Sequence, residues 1–110
     1  MITIIKIKNM TENNAILIIN AIANKENMAD VKIYLESIMP VFGSNGGKPV
    51  ARYKTVEQLV GEESPEMVAI VEFPNSDAIK QMVNGEDFLA LAAIRAKAFA
   101  KINIIICGEM

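Results

Sequence analysis

Two basic residues and one carboxylate lie in segments that are otherwise apolar, and these charged side chains are the first candidates for chemistry. Arg52 and Lys54 stand two positions apart in an alternating segment, and Glu72 interrupts an apolar run. A hairpin that turns over 60–66 sets Lys54 opposite Glu72, with Arg52 diagonal on the same face. Arg52 and Lys54 would then hold an anionic ligand, with Glu72 as base or counter-ion, or the cluster would form a structural ion pair. The ion pair is the simpler interpretation, because charged networks also form without catalysis.

Three further side chains are candidates for contact with a ligand. Arg95 lies on or near the apolar side of the last predicted helix, where it would contact an anion or form a salt bridge to the sheet or to a second subunit. The phenol of Tyr34 would donate a hydrogen bond to a ligand carbonyl, or pack with its hydroxyl at the surface. Asn20 is a lone amide in an apolar strand, so it would orient a substrate carbonyl or be a satisfied buried amide.

The composition excludes several mechanisms. The chain has no histidine and one cysteine. Serine–histidine and cysteine–histidine nucleophiles are therefore excluded within the chain, as are zinc sites built on imidazole. Any proton transfer would depend on carboxylate, lysine or tyrosine, or on the acidity of the substrate itself. We accordingly predict no metal and no cofactor.

Length, hydrophobicity and charge limit the class of protein and its partners. With 110 residues, of which 52% are hydrophobic, the chain is expected to fold as one domain. The formal net charge is −2 and the lysines are scattered, which argues against nucleic acid as a partner. No apolar run approaches the ~18 residues of a membrane helix, and no secretion signal is visible. A cytoplasmic location without a membrane partner is the expectation.

The pattern of apolar residues predicts the elements that position these side chains. Strands are predicted over 2–7, 15–23, 50–60, 67–73 and 102–107, and helices over about 27–43, 76–83 and 86–100. Without the first strand this order is βαββαβ, the split βαβ arrangement of ferredoxin-like folds. We therefore predict an α+β fold with one domain over 15–110, preceded by an extra N-terminal strand and turn over 1–14.

Three of the predicted strands are apolar on both faces, namely 15–23, 67–73 and 102–107. One layer of helices covers only one face of a four-stranded sheet, so the second face must meet another sheet or form a large exposed apolar patch. The sequence therefore predicts a homodimer.

Short motifs follow one another along the chain in a characteristic order. They are Gly46-Gly47, Ala51-Arg52, Gly61, Glu72-Phe73-Pro74-Asn75-Ser76, Ala78, Glu86-Asp87-Phe88 and Arg95. In their joint order and spacing, the motifs resemble the family known as domain of unknown function 1330, over roughly 15–109. The chain departs from the family at Met82-Val83, where an aromatic pair is usual, and at Phe88, which occupies the position of a tyrosine.

The resemblance implies a fold and an assembly. The family belongs to the dimeric α/β-barrel superfamily, in which two ferredoxin-like protomers pair their sheets into a barrel with the helices outside. Relatives include antibiotic-biosynthesis-type monooxygenases, muconolactone isomerases and enzymes that use or degrade heme. We expect a homodimer that binds a small, anionic ligand in the barrel. The alternative is a cofactor-independent monooxygenase- or isomerase-type enzyme acting on a small organic substrate.

Overall fold

Strands and helices follow one another in the predicted βαββαβ order. The computed structural model describes residues 14–62 and 64–110, so the predicted strand over 2–7 lies outside the described residues. The strands are β1 (Ala15–Ala23), β2 (Lys48–Lys54), β3 (Met67–Phe73) and β4 (Phe99–Cys107). The helices are α1 (Met28–Ser44), α2 (Ser76–Val83), α3 (Glu86–Leu89) and α4 (Ala92–Ala98), and a 3-10 turn over Lys25–Asn27 leads into α1.

The four strands form one antiparallel sheet in the order β2-β3-β1-β4. β3 lies between β1 and β2, and β1 lies between β3 and β4, so two split βαβ units interleave. This topology confirms the predicted α+β, ferredoxin-like fold.

The core lies between the helices and one face of the sheet. Successive strand residues point to opposite faces, so every second residue of β1 is buried on the helix side. Leu17 is fully buried there, as are Phe73 of β3 and Ile38 of α1. The buried core consists of Ala15, Leu17, Ile19, Ala21, Val31, Tyr34, Ile38, Val41, Phe42, Val71, Phe73, Ile79, Met82, Phe88, Ala98 and Phe99.

The prediction that the second strand of the domain covers 50–60 was wrong, since β2 ends at Lys54. Beyond it, the Thr55 N–H donates to the Glu66 carbonyl, and the Thr55 hydroxyl donates to the Pro65 carbonyl. Pro65 has no N–H to donate to the strand opposite it, so the ladder stops at this point.

The prediction of one continuous helix over 86–100 was also wrong. A turn at Ala90 and Leu91 separates α3 from α4, and β4 already begins at Phe99. The Phe99 ring is buried and packs edge-to-face against Tyr34, with 5.5 Å between ring centroids. In addition, the Ala98 carbonyl accepts a hydrogen bond from the N–H of Asn24. Because of these two contacts, α4 ends at Ala98 and β4 begins at Phe99.

A glycine turn at the end of α1 sets the start of β2. Gly46 has φ +85°, a conformation that glycine adopts without strain, and the Gly47 N–H donates to the Phe42 carbonyl. A Cβ at Gly47 would lie 2.6 Å from Cζ of Phe73 and 2.9 Å from the Phe42 carbonyl oxygen. Because the Phe73 ring is buried and packs at 90° against the Phe42 ring, it has no room to move aside.

We therefore expect Gly47→Ala to destabilise the protein by about 2 kcal/mol, the usual magnitude for overpacking a core. Gly43→Ala is the matched control, since a Cβ at this helical position meets no heavy atom within 4 Å. It should be neutral or stabilise by up to about 1 kcal/mol. Urea unfolding of both variants at one protein concentration measures the difference, and equal free energies of unfolding would contradict the role given to the Phe73 ring.

The connection between β2 and β3, residues 55–62 and 64–66, forms an arm whose base is fixed to β1. The Glu66 carboxylate accepts a hydrogen bond from the Ala23 N–H at 2.9 Å and forms an ion pair with Lys25 at 2.7 Å. The hydrogen bond from Lys25 and that from the Ala23 backbone hold the pKa of Glu66 below its ordinary value. The fold therefore favours the ionised carboxylate.

This interaction predicts a dependence of stability on pH. A carboxylate with a lowered pKa stabilises the fold fully above its unfolded pKa, and the contribution is lost as pH falls through the folded pKa. Glu66→Gln should therefore lower the melting temperature at pH 7, and its difference from wild type should shrink on acidification below pH about 4. Glu36→Gln, which breaks a longer surface pair with Lys32 at 4.0 Å, is the control. A difference for Glu66→Gln that stays constant with pH would contradict the role of the charge.

Candidate functional site

An apolar cavity of about 330 Å³ lies between α1 and the helix-facing side of the sheet. The helices do not cover β2, which lies at the edge of the sheet, and all its residues except Ala51 are exposed. The cavity forms in this uncovered space. Apolar side chains of α1 form one wall, and side chains from all four strands of the sheet form the other. The main lining residues are Tyr34, Leu35, Ile38, Met39 and Phe42 of α1, and Ile19, Pro49, Arg52, Met67, Ala69 and Val71 of the sheet.

The structure does not bring the predicted charged cluster together. Arg52 pairs with Ala69, whose partner on the other side is the buried Ile19, so Arg52 shares the helix-facing side with the cavity. Glu72 pairs with Ile16 on the opposite, outer face. The two charges therefore lie on different faces of the sheet, and the predicted clustering of Arg52, Lys54 and Glu72 on one face was wrong.

The physical reason is the register of the hairpin. Lys54 pairs with Met67, and the residue opposite Glu72 is Lys48. The long arm replaces the compact turn that was assumed, and an irregularity between Pro49 and Ala51 shifts the pairing by one more residue. Within residues 14–62 and 64–110, the ion pairs are Lys25–Glu66 and Lys32–Glu36, so the predicted ion pair of Lys54 does not form.

Tyr34, which lines this cavity, lies beside Arg95, which is 61 positions away in sequence and is not itself part of the lining. Tyr34 of α1 is 3% exposed, lines the cavity and packs against Phe99. The guanidinium carbon of Arg95, on α4, lies 6.0 Å from the Tyr34 ring centroid and 4.7 Å from that of Phe88. The arginine is therefore held between two aromatic rings, an arrangement that favours a cation.

Burial is the largest influence on the electrostatics of Tyr34 beside Arg95. Burial raises the pKa of Tyr34 above its ordinary value, while the hydrogen bond from Arg95 and its positive charge act in the opposite direction with smaller effect. Tyr34 consequently keeps its proton at neutral pH. Nη1 of Arg95 is buried and has no hydrogen-bond partner among the described residues.

Asn20 lies apart from the cavity, on the outer face of the sheet. It pairs with Asn103 on one side and Val68 on the other. With Lys101 and Pro65, the two amides line a small polar cleft of about 120 Å³. The candidate residues therefore divide between the two faces: Tyr34, Arg52 and Arg95 on the helix side, and Asn20 and Glu72 on the outer side.

The sequence did not reveal the apolar lining of the cavity. Met39, Ala69 and Phe99 read as ordinary core residues, because their types are those of any buried surface. The available signal was the small side chain of Ala69 in a strand of larger residues, which leaves space beneath α1. Nothing local indicates which of several alanines borders a cavity.

The same described part of the chain offers no metal site or membrane helix. Within 14–62 and 64–110, no three His, Cys, Asp or Glu residues come close enough to hold a metal ion. In these residues, too, the helices are too short or too polar to cross a lipid bilayer.

Solved structures of low sequence identity share the fold. A protein of unknown function from Rhodopseudomonas palustris superposes with a TM-score of 0.75 at 19% identity, covering 99% of this chain and 92% of that one. A protein from Bacteroides fragilis, described as dimeric with a ferredoxin-like fold, gives 0.56 at 11% identity, covering 87% and 96%. A candidate antibiotic biosynthesis monooxygenase from Bacteroides thetaiotaomicron gives 0.62 at 16% identity, covering 91% and 92%.

The family is established by the sequence itself. No curated protein matches the chain. The model of one family, however, matches residues 15–110, which comprise all four strands and all four helices. The chain therefore belongs to the family described as Domain of unknown function (DUF1330).

Proposed function

We propose that the protein is a homodimer in which each protomer binds a small organic molecule in the cavity between α1 and the sheet. The observation that carries this proposal is the cavity itself. Its volume of about 330 Å³ lies within the range of small-molecule sites, and its lining is apolar with few polar groups. Tyr34 and Arg52 are the polar side chains that would orient a ligand there.

The outer face of the sheet supports the dimer. Its central positions alternate with the buried ones and are mostly aliphatic: Ile16 and Ile18 on β1, Val68 and Ile70 on β3, and Ile105 on β4. The helices pack on the other side, so the side chains of this face meet no second layer within 14–62 and 64–110. A second sheet is the partner that a broad aliphatic sheet face fits best.

The β2–β3 arm supports the same assembly. Val56, Leu59 and Val60 are 94%, 85% and 91% exposed, although the base of the arm is held by Thr55 and Glu66. Three aliphatic side chains at this exposure, close together on one connection, are unfavourable for an isolated protomer. In the proposed dimer they cover apolar surface of the second copy.

The proposed dimer changes where a ligand binds. If the outer faces pair, the barrel interior is formed by those faces, and each cavity remains outside it under the helices of its own protomer. The ligand position proposed here is therefore between helix and sheet, whereas the sequence suggested the barrel interior.

The monooxygenase- or isomerase-type alternative needs a group in the cavity that accepts a proton. Arginine stays charged at any ordinary pH, and burial raises the pKa of Tyr34, so neither side chain is suited to act as a base near neutral pH. Glu72 lies on the other face. The lining therefore favours binding, with any chemistry left to the reactivity of the substrate.

The first test concerns the dimer. We expect Ile105→Lys to convert the protein to a monomer, because the new charge would be buried between two apolar sheet faces. Light scattering coupled to size exclusion, at micromolar concentration, measures the mass. Ile33→Lys is the matched control: Ile33 is 51% exposed and Ile105 46%, but Ile33 lies on α1 rather than on the sheet. A wild-type protein that is monomeric under these conditions would overturn the dimer.

The second test concerns the cavity. Either 2-naphthamide or 2-naphthoate, added to the 15N-labelled protein, should shift amide signals of cavity-lining residues such as Ala69 and Leu35. Ala69→Leu should weaken binding by at least about tenfold, because the added side chain occupies the space of the ligand. Ala93→Leu, on the exposed surface of α4, is the control. If neither compound shifts the lining residues of the wild type, the cavity is not a binding site for this class of molecule.

A further inference from the structure

We infer that the cavity is built for a ligand with an apolar body and one carboxylate, and that Arg95 binds the carboxylate beside Tyr34. This inference rests on the proposed function, since it names the chemical class of ligand for the same cavity.

The guanidinium of Arg95 has one buried nitrogen without a partner in the described part of the chain. Its Nη1 is buried without a hydrogen-bond partner, and no carboxylate forms an ion pair with it within 14–62 and 64–110. A buried N–H that loses its water without gaining a partner costs free energy, and more so when the group is charged. An arginine retained in this condition is poised to accept an anion.

Tyr34 connects this guanidinium with the cavity. It joins the two, because its ring lines the cavity and the guanidinium carbon of Arg95 lies 6.0 Å from the centroid of that ring. A ligand in contact with Tyr34 therefore lies next to the arginine. Phe88 covers the guanidinium from another side at 4.7 Å, which restricts its rotation and fixes the direction of its N–H groups.

A carboxylate is the anion that suits this guanidinium best. A carboxylate is planar and carries one charge, so it matches a single guanidinium by two parallel hydrogen bonds. A phosphate group carries more charge than the one guanidinium beside Tyr34 can balance. The remaining lining is apolar apart from Arg52 at the open edge of the sheet, where its positive charge favours the entry of an anion.

The experiment compares matched pairs of probes that differ only in the charged group: 2-naphthoate with 2-naphthamide, and cinnamate with cinnamamide. Affinities are measured by calorimetry on the full-length dimer at fixed ionic strength. We expect each carboxylate to bind wild type at least about tenfold more tightly than its amide, the magnitude of a charge-assisted hydrogen bond. This comparison needs no variant and so does not depend on whether a variant folds.

Variants then locate the preference. Arg95→Met keeps an unbranched apolar side chain but removes the guanidinium, and it should remove the preference for the acid while the amide binds as before. Tyr34→Phe should reduce the preference in part. Lys97→Met removes one positive charge from the exposed surface of the same helix and should leave the preference intact.

The outcomes separate this inference from the proposed function. Equal affinity of acid and amide in wild type, with shifts at the cavity, would overturn the role of Arg95 and leave the cavity as a binding site. A preference that survives Arg95→Met but is lost in Arg52→Met would also overturn it, because the anion would then bind at the sheet edge. Absence of binding by all four probes would overturn the proposed function together with this inference.

Discussion

The pairing of β1 with both of its neighbours is the constraint on which the rest of the structure depends. Leu17 lies opposite Val71 and Ile106, and Ile18 lies opposite Ile70 and Ile105. Because side chains alternate along a strand, a slip of one residue would exchange these two sets between the faces. The register thus gives the helices one apolar face to cover and leaves a second, aliphatic face on the outer side of the sheet. A single sequence pattern produces both the core and the face on which the proposed dimer rests.

The cavity follows from the position of β2 in this arrangement. The glycine turn at Gly46 and Gly47 brings β2 back beside β3, at the edge furthest from β4. The helices pack over the central strands, and α1 also packs against α4, so the space above β2 stays open. A small residue at Ala69 deepens that space under Ile38 and Leu35. The site is therefore a consequence of topology more than of any one motif.

Signals local to a short stretch of sequence predicted the strands and helices, whereas contacts between distant segments could not be predicted. The strands 15–23 and 67–73 were predicted with their observed bounds, and a helix was predicted between the cap residues at 74–76 and Asn84-Gly85, because these are local signals. The hairpin register failed because Pro65 and the long arm act across the ladder. The contact of Tyr34 with Arg95 depends on how α1 packs against α4, which no spacing along the chain encodes. Both residues were nevertheless named as candidates from the sequence, Arg95 because an arginine on an apolar helix face stands out by its type.

One departure from the family pattern gains meaning from this packing. Phe88 stands where the family usually has a tyrosine, and its ring packs against the Arg95 guanidinium. At that place the chain supplies an aromatic face without a hydroxyl, so Phe88 constrains the arginine without satisfying any of its N–H groups. The phenol beside the cation is supplied instead by Tyr34, from α1 and on the cavity side. The phenylalanine therefore leaves the N–H groups of Arg95 available, as the proposed anion site requires.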